Sequence, residues 1–284
     1  MLLIGVSPSV RQQQLTPCRL ERTTRSLAPT EAGQRLLRRA PDLLAHSEDV
    51  KAAISTDAAH LNIICGPVIL DALGHRALLE FRTKRAEVHV AMQVMAPALA
   101  IEQLVRQRTD LLLFHQNVVR ELADRKALIV TRLISEPYAV LFRRGHPLDG
   151  AARSLETMLG FDWVIAGFDS LFQEALPAKQ RDMLLRRGFP KYRIPSLSAC
   201  ADVAECSDLL TLAPTSTASA LMAGRALTSA PLPGKARFTV CAVTRADAVG
   251  SAHIADFIDS VGRVRARDPA VQSQSRPSRK KKRR

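Results

Sequence analysis

Aromatic residues are scarce in this 284-residue chain, where one Trp, two Tyr and nine Phe amount to 4%. Its interior must therefore be built mainly from aliphatic side chains, and a hydrophobic share of 46% supplies them. Cysteine is also sparse: Cys18, Cys65, Cys200, Cys206 and Cys241 form an odd set with no CxxC spacing. That usage excludes a disulfide-stapled scaffold, argues against a zinc site, and suits reduced thiols in a reducing compartment. Long apolar runs are missing as well. The longest, such as Leu61 to Leu73, fall short of the roughly 20 residues of a membrane span and carry polar breaks, so no membrane partner is expected. Met1 to Ile4 leads into proline and a run of glutamine rather than into a secretory leader, which makes the cytoplasm the expected compartment.

Catalytic signatures are absent too. The seven histidines include no HExxH and no pair at ligand spacing with a cysteine, while Gly5 and Gly66 belong to neither GxGxxG nor a P-loop, and no GxSxG elbow occurs. The expectation is a protein that is not an enzyme and carries no catalytic residue, cofactor or metal. His146 reads as a structural histidine in a turn, and Cys65, at the end of a predicted strand, reads as a buried inert thiol or a redox-sensitive one.

What the chain has in excess is positive charge, with 41 Lys and Arg against 27 Asp and Glu. A net charge of +14 favours polyanionic partners, since each cation that meets a phosphate releases condensed counterions. Seven of the basic groups lie in the last nine residues, Arg276 to Arg284, in a Ser, Gln and Pro setting that cannot form a core. This tail is expected to be disordered, and either holds DNA non-specifically or is merely solvated.

The length accommodates one small and one large unit. Residues 1 to 29 are polar and turn-rich. Thr30 to Ile54 then shows helical periodicity, with Leu36, Leu43 and Val50 seven residues apart and Leu37, Ala40 and Leu44 beside them. Thr30 is the expected N-cap, Glu31 sits favourably in the first turn, and Pro41 should kink the helix. Such a seam fits a dimerisation helix or an amphipathic helix packed on its own domain. From His60 the pattern alternates: strands at Leu61 to Cys65, Val88 to Val94 and Asp110 to Phe114, with helices near Leu70 to Lys84 and Ala98 to Arg106. That succession implies a parallel sheet covered by helices, with ligands at the carboxyl ends of its strands. A second set follows: strands at Tyr138 to Arg143, Trp163 to Ala166, Arg193 to Leu197 and Leu209 to Ala213, with helices near Leu176 to Arg187 and Ala201 to Cys206. A strand at Phe238 to Thr244 and a helix at Ala252 to Val264 close the fold.

Several of these segments, taken in order, resemble the LysR family of bacterial transcriptional regulators. The run LERTTRSLAPTEAG at 20–33 resembles the family's wing and the start of its linker helix. LVRQRTDLLLF at 104–114 is similar to the helix, turn and strand before the ligand cleft, with Gln107 where glycine is usual. EPYAVLFRRGHPL at 136–148 resembles the strand entering a second lobe and its HPL turn. SDLLTLAP at 207–214 is similar to a later strand ending in proline, although Ser207 and Leu209 depart from the pattern. VSPSVRQQQL at 6–15 looks like a compressed remnant of a recognition helix.

The resemblance implies an α/β fold: a two-lobed, periplasmic-binding-protein-like effector domain preceded by a linker helix and a partial winged helix-turn-helix. The expected boundaries are 1–29 for the partial winged helix-turn-helix, 30–57 for the linker helix, 58–267 for the effector domain and 268–284 for the tail. Within the effector domain, lobe I would take 58–136 and 236–267 and lobe II 137–235. A complete winged helix-turn-helix would carry three helices before the wing, about 30 residues more than precede it here.

Residue by residue, the resemblance points to Ser7, Ser9, Arg11, Arg22, Thr23, Thr24 and Arg25 as DNA contacts. For an effector it points to Gly66, Val68, Met95, Ala96, Asp169, Ser170 and Ser198. Small polar ligands are usually held by helix N-terminal amides and hydroxyls. Gly66 and Val68 stand where hydroxyl residues are expected, so the effector is more apolar than a simple carboxylate, or the cleft binds weakly or nothing. Two readings of function follow. One is a regulator that senses a small molecule between two lobes, forms a homo-oligomer, dimer or tetramer, and acts on promoter DNA in the nucleoid. The other is a truncated partner or relic that keeps the sensor and oligomerisation surfaces without binding DNA.

Overall fold

The structure is a computed structural model that describes residues 20–22, 27–36, 40, 59–120, 126–150, 153–167, 176–248 and 250–266. It forms two units, Met1–Ala58 and Ala59–Arg284. In the smaller one, strands β1 (Leu20–Arg22) and β2 (Leu27–Pro29) pair antiparallel, Arg22 opposite Leu27 and Leu20 opposite Pro29. This hairpin stands where the resemblance places the wing. Residues 31–36 are helical, and Thr30 caps them as expected: its Oγ1 accepts from the Gly33 amide at 3.1 Å. Glu31 and Arg35 approach to 3.8 Å one turn apart. Pro41 and the rest of the seven-residue seam lie outside the described residues, as do Cys18 and the basic tail.

The larger unit is organised around a mixed sheet in the order β10 (Leu227–Pro231), β6 (Leu128–Arg143), β11 (Arg237–Arg245), β5 (Leu111–His115), β3 (His60–Cys65), β4 (His89–Val94), with β9 (Thr211–Pro214) also on β6. Strands β3 (His60–Cys65), β4 (His89–Val94) and β5 (Leu111–His115) run parallel, β3 between the other two. Two helical connections make that arrangement possible. The first, α1, runs through Pro67–Ile69, a π-helical turn Leu70–Gly74 and His75–Arg82. The second is α2 (Pro97–Val105). β5, and β3 from Ile63 to Cys65, read as continuous apolar runs because both of their faces are covered there. Ile63 and Leu113 enter one cluster with Phe81 of α1 and Phe257 of the closing helix α8 (Ala252–Ala266). Ile64, Leu112 and Phe114 enter the opposite cluster, with Ala100 and Leu104 of α2. The sheet is not wholly parallel: β11 (Arg237–Arg245) joins antiparallel to β5 and carries β6 on its other edge.

β6 (Leu128–Arg143) is 16 residues long and belongs to both halves of the unit. Its segment from Leu128 to Pro137 pairs with β11. Beyond Pro137 it pairs with β9 (Thr211–Pro214) and β10 (Leu227–Pro231). Pro137 has no N–H to give and sits where the partners change. The second half continues through an isolated bridge, Trp163 to Leu210, to the parallel pair β7 (Val164–Ala166) and β8 (Tyr192–Ile194). Around it lie helices α4 (Leu155–Leu159), α5 (Ala178–Arg186), α6 (Leu197–Glu205) and α7 (Thr215–Met222). These enclose two clusters, one around Trp163 and Phe142, the other around Cys200, Ala201 and Ala204. A short helix α3 (Gln116–Val119) follows β5.

His146 has the structural part expected of it. It is 2% exposed. Its Nδ1 accepts from the Leu148 amide at 2.9 Å, so Nε2 carries the proton and donates to the Asp208 carbonyl at 3.2 Å. Gln107, at the position where the family favours glycine, has φ +59. It closes α2 as the left-handed residue of a Schellman end, with Arg108 N donating to the Gln103 carbonyl and Gln107 N to that of Leu104.

A candidate effector cleft closed by the chain's own carboxylates

Strand β3 delivers the chain to the gap between the two lobes at Gly66, whose extended backbone starts α1 with Pro67 in the first turn. There the lobes touch. Val68 packs against the Cys200 and Leu197 cluster of the second lobe. Gly167, just past β7, has φ +107, and a methyl group on it would meet Pro67 Cγ at 3.7 Å and Val68 Cγ2 at 3.9 Å. Glycine is thus required for its backbone angle, while a methyl group there would make only ordinary van der Waals contact with α1.

One residue turns this contact into a polar bond. Asp71, in the π-helical turn of α1, accepts from the Leu197 amide through Oδ2 at 2.6 Å. Leu197 is the first residue of α6, so a carboxylate of the first lobe occupies the N-terminal amide of a helix in the second. N-terminal amides and the helix dipole both favour a negative charge there. The donor two residues further on is used as well, since Ser196 Oγ accepts from the Ala199 amide at 3.2 Å. Helix α7 is treated in the same way. Glu136, 8% exposed and on the crossing strand β6, accepts from the Ser216 amide at 2.8 Å and from Ser216 Oγ at 2.9 Å. Thr215 Oγ1 adds a bond to the Pro137 carbonyl at 2.8 Å. Two helix starts of the second lobe therefore already hold carboxylates from β6 and the first lobe.

Burial governs the thiols nearby. Cys65, at the end of β3, is fully buried, and loss of solvation together with the Asp71 charge pushes its pKa up to about 12. Cys200 on α6 is pushed up to about 11, again mainly by burial. Neither is a ready thiolate at neutral pH, which fits the inert reading of Cys65. Burial and the Glu136 charge also raise the Tyr138 phenol.

The residues singled out in the sequence are distributed unevenly. Gly66 and Val68 lie at the lobe contact. Ala96 begins α2 without a side-chain cap, and Met95 packs against the cluster beneath that helix. Ser198 faces outward on α6, where Arg225 donates to its Oγ at 2.8 Å and also grips Asp202 at 2.7 Å. Asp169 and Ser170 lie outside the described residues. Of the DNA-contact set only Arg22 is described, as a backbone position in β1; Ser7, Ser9, Arg11, Thr23, Thr24 and Arg25 lie outside. Asp71, Ser196 and Gly167 were not picked out. Asp71 had a usable signal: an acid beside apolar Leu70, Ala72 and Leu73 on a core helix needs a partner.

Comparison with known proteins agrees with this architecture. A family model described as the LysR substrate binding domain matches residues 55–266. No curated protein matches the chain by sequence. Among solved structures, a mutant OxyR from Corynebacterium glutamicum aligns with a TM-score of 0.59 at 18% identity, over 90% of this chain and 81% of that one. A full-length OxyR variant from Pseudomonas aeruginosa gives 0.57 at 16% identity, over 89% and 87% of the two chains. A full-length BenM mutant gives 0.56 at 17% identity, over 91% and 85%. At such identities the structures establish the fold, and the family match, which spans most of the sequence, establishes kinship: the chain belongs to the LysR substrate-binding-domain family.

Proposed function

We propose that the chain is a LysR-type transcriptional regulator that binds promoter DNA through its smaller unit and assembles as a homo-oligomer in the cytoplasm. A small molecule held between the lobes of its larger unit sets the output. The observation that carries the sensing step is the bond from the Leu197 amide to Asp71. That amide is an anion seat, and the chain fills it with its own side chain. An acidic effector competes with Asp71 for the seat, and Gly66, Val68, Met95, Ala96, Asp169, Ser170 and Ser198 are its proposed further contacts. Ser7, Ser9, Arg11, Arg22, Thr23, Thr24 and Arg25 carry the DNA contacts. Coupling between the two sites need only be about 1 to 3 kcal/mol to change DNA affinity roughly five- to 150-fold.

The test is a titration of the full chain on the intergenic DNA beside its own gene and on a scrambled duplex, at about 150 mM salt. Site-specific binding about a thousandfold tighter than to the scrambled duplex supports the reading. Adding small carboxylates should shift the Asp71→Ala chain at lower concentration than the parent, because its seat is vacant. Equal affinity for both duplexes, fading together with salt, reduces the interaction to charge alone and favours the partner that senses without reading DNA.

A further inference from the structure

A concavity that shares no lining residue with the lobe contact just described is strongly cationic. At the carboxyl end of β5, where the two crossing segments leave the first lobe, a cavity of about 230 Å³ opens. Arg120, Arg132, Lys235 and Arg237 line it, and among the described residues no carboxylate does. None of these four cations forms an ion pair with a described residue. Elsewhere in the larger unit arginines commonly find acids, as Arg85 finds Asp256, Arg143 finds Asp208 and Arg225 finds Asp202. Four like charges around one concavity repel each other, and a doubly charged anion between them removes that cost.

The wall is built as well as charged. Ser135 and Thr239 lie in it, 8% and 5% exposed, with their hydroxyls 3.0 Å apart. Arg237 donates from Nε to Ser135 Oγ at 3.0 Å and from Nη2 to the Ser135 carbonyl at 2.9 Å. The two hydroxyls carry two protons, and their mutual bond consumes one. Whichever oxygen donates, the other keeps an O–H for a further acceptor. A recess with cations around a spare hydroxyl donor suits a compact oxyanion better than a flat polyanion surface does.

We propose that this cavity binds a small oxyanion bearing two negative charges, a phosphate monoester or a dicarboxylate. Arg132 and Lys235 serve as free charges, Arg237 as a held one, and the Ser135–Thr239 pair as the hydroxyl donor. Ser135 and Arg237 belong to β6 and β11 immediately before and after the two lobes exchange chain, so occupancy stiffens the crossing. The site does not depend on DNA binding or on the seat held by Asp71.

Isothermal titration of the full chain with inorganic phosphate, glycerol phosphate and succinate, against chloride at matched ionic strength, tests it. One saturable site per chain is expected. Substituting Arg132→Gln together with Lys235→Gln should weaken it about tenfold or more, while Lys179→Gln together with Arg181→Gln, an equal loss of charge at exposed positions of α5, leaves it unchanged. A preference for glycerol phosphate or for succinate identifies which oxyanion the cavity takes. Circular dichroism confirms that the double variant is folded, and Arg132→Lys should restore part of the affinity. Binding that survives the double substitution, or that fails to saturate and tracks ionic strength, overturns the proposal.

Discussion

Removing the Asp71 carboxylate is the sharpest probe of how the lobes hold together. The bond to the Leu197 amide is charge-assisted, 2.6 Å long, and reaches a residue that is fully buried. Such a bond contributes about 1.5 to 3 kcal/mol net. Asp71→Asn keeps an acceptor in place and loses the charge, which should cost about half of that. Asp71→Ala leaves a buried N–H without a partner and should forfeit the whole. For a unit of this size about 1 kcal/mol moves the melting midpoint by roughly 2 to 4 °C. Alanine should therefore lower it by about 3 to 12 °C, and asparagine by about half as much. Hydrogen exchange localises the effect: the Leu197 amide should lose protection, while core amides such as Leu113 change only with global stability. If alanine leaves both the midpoint and Leu197 exchange at parent values, the contact does not hold the lobes. If asparagine proves worse than alanine, the electrostatic account of the bond is wrong.

Three other outcomes follow from local geometry. Gln107→Gly, at φ +59, should gain a few tenths to about 1 kcal/mol in urea unfolding, whereas Gln107→Val should lose more than about 1 kcal/mol. A gain with valine contradicts the left-handed turn. The Asp256 carboxyl is held below its ordinary pKa, first by the hydrogen bond from Arg85 and then by the charges of Arg85, Lys84 and His253. Its depressed pKa adds stability that is fully present above the usual aspartate range, about pH 4, and is lost as pH falls through the folded value. The melting difference between the parent and Asp256→Asn should therefore be constant at neutral pH and shrink below about pH 4; a constant gap across that range rules the pair out. Cys206 is exposed while Cys65, Cys200 and Cys241 are buried, the last also with its thiol pushed up by burial. Mass spectrometry after brief alkylation should find label at Cys206 and none at the other three until denaturant is added.

The parallel half of the sheet was readable because β3, β4 and β5 are short apolar runs separated by helical repeats; the elements found depart from expectation by one or two residues at most strand ends. β6 was recognised only from Tyr138 onward. Its first segment bonds β11 on one edge alone and exposes Thr131 and Arg132, which interrupts the apolar pattern. Helix α7 was missed because Thr215, Ser216 and Thr217 are poor helix formers. It is held by Glu136, 80 residues distant in sequence. β10 was missed because it ends in proline and contains Thr228 and Ser229. The larger gap concerns the site. Asp71 and Leu197 are separated by 126 positions. The cationic cavity gathers residues from two stretches about a hundred positions apart. Periodicity reports which face of an element is buried and carries nothing about which distant element covers it.

β6 has a mechanical consequence. A single strand of 16 residues runs from one lobe into the other without a break. Extended backbone resists bending within its hydrogen-bonded plane and yields most readily to torsion about its own length. The second crossing, back from β10 to β11, is tied beside it by the Leu232 amide on the Tyr138 carbonyl at 3.1 Å. Two fastened strands make a torsion bar. Motion of one lobe against the other is then chiefly a twist about β6, with Pro137 at the point where the ladder changes partners, and a jaw-like opening is disfavoured. Because Asp71 and Leu197 stand in different lobes, their bond is among the contacts that such a twist must strain.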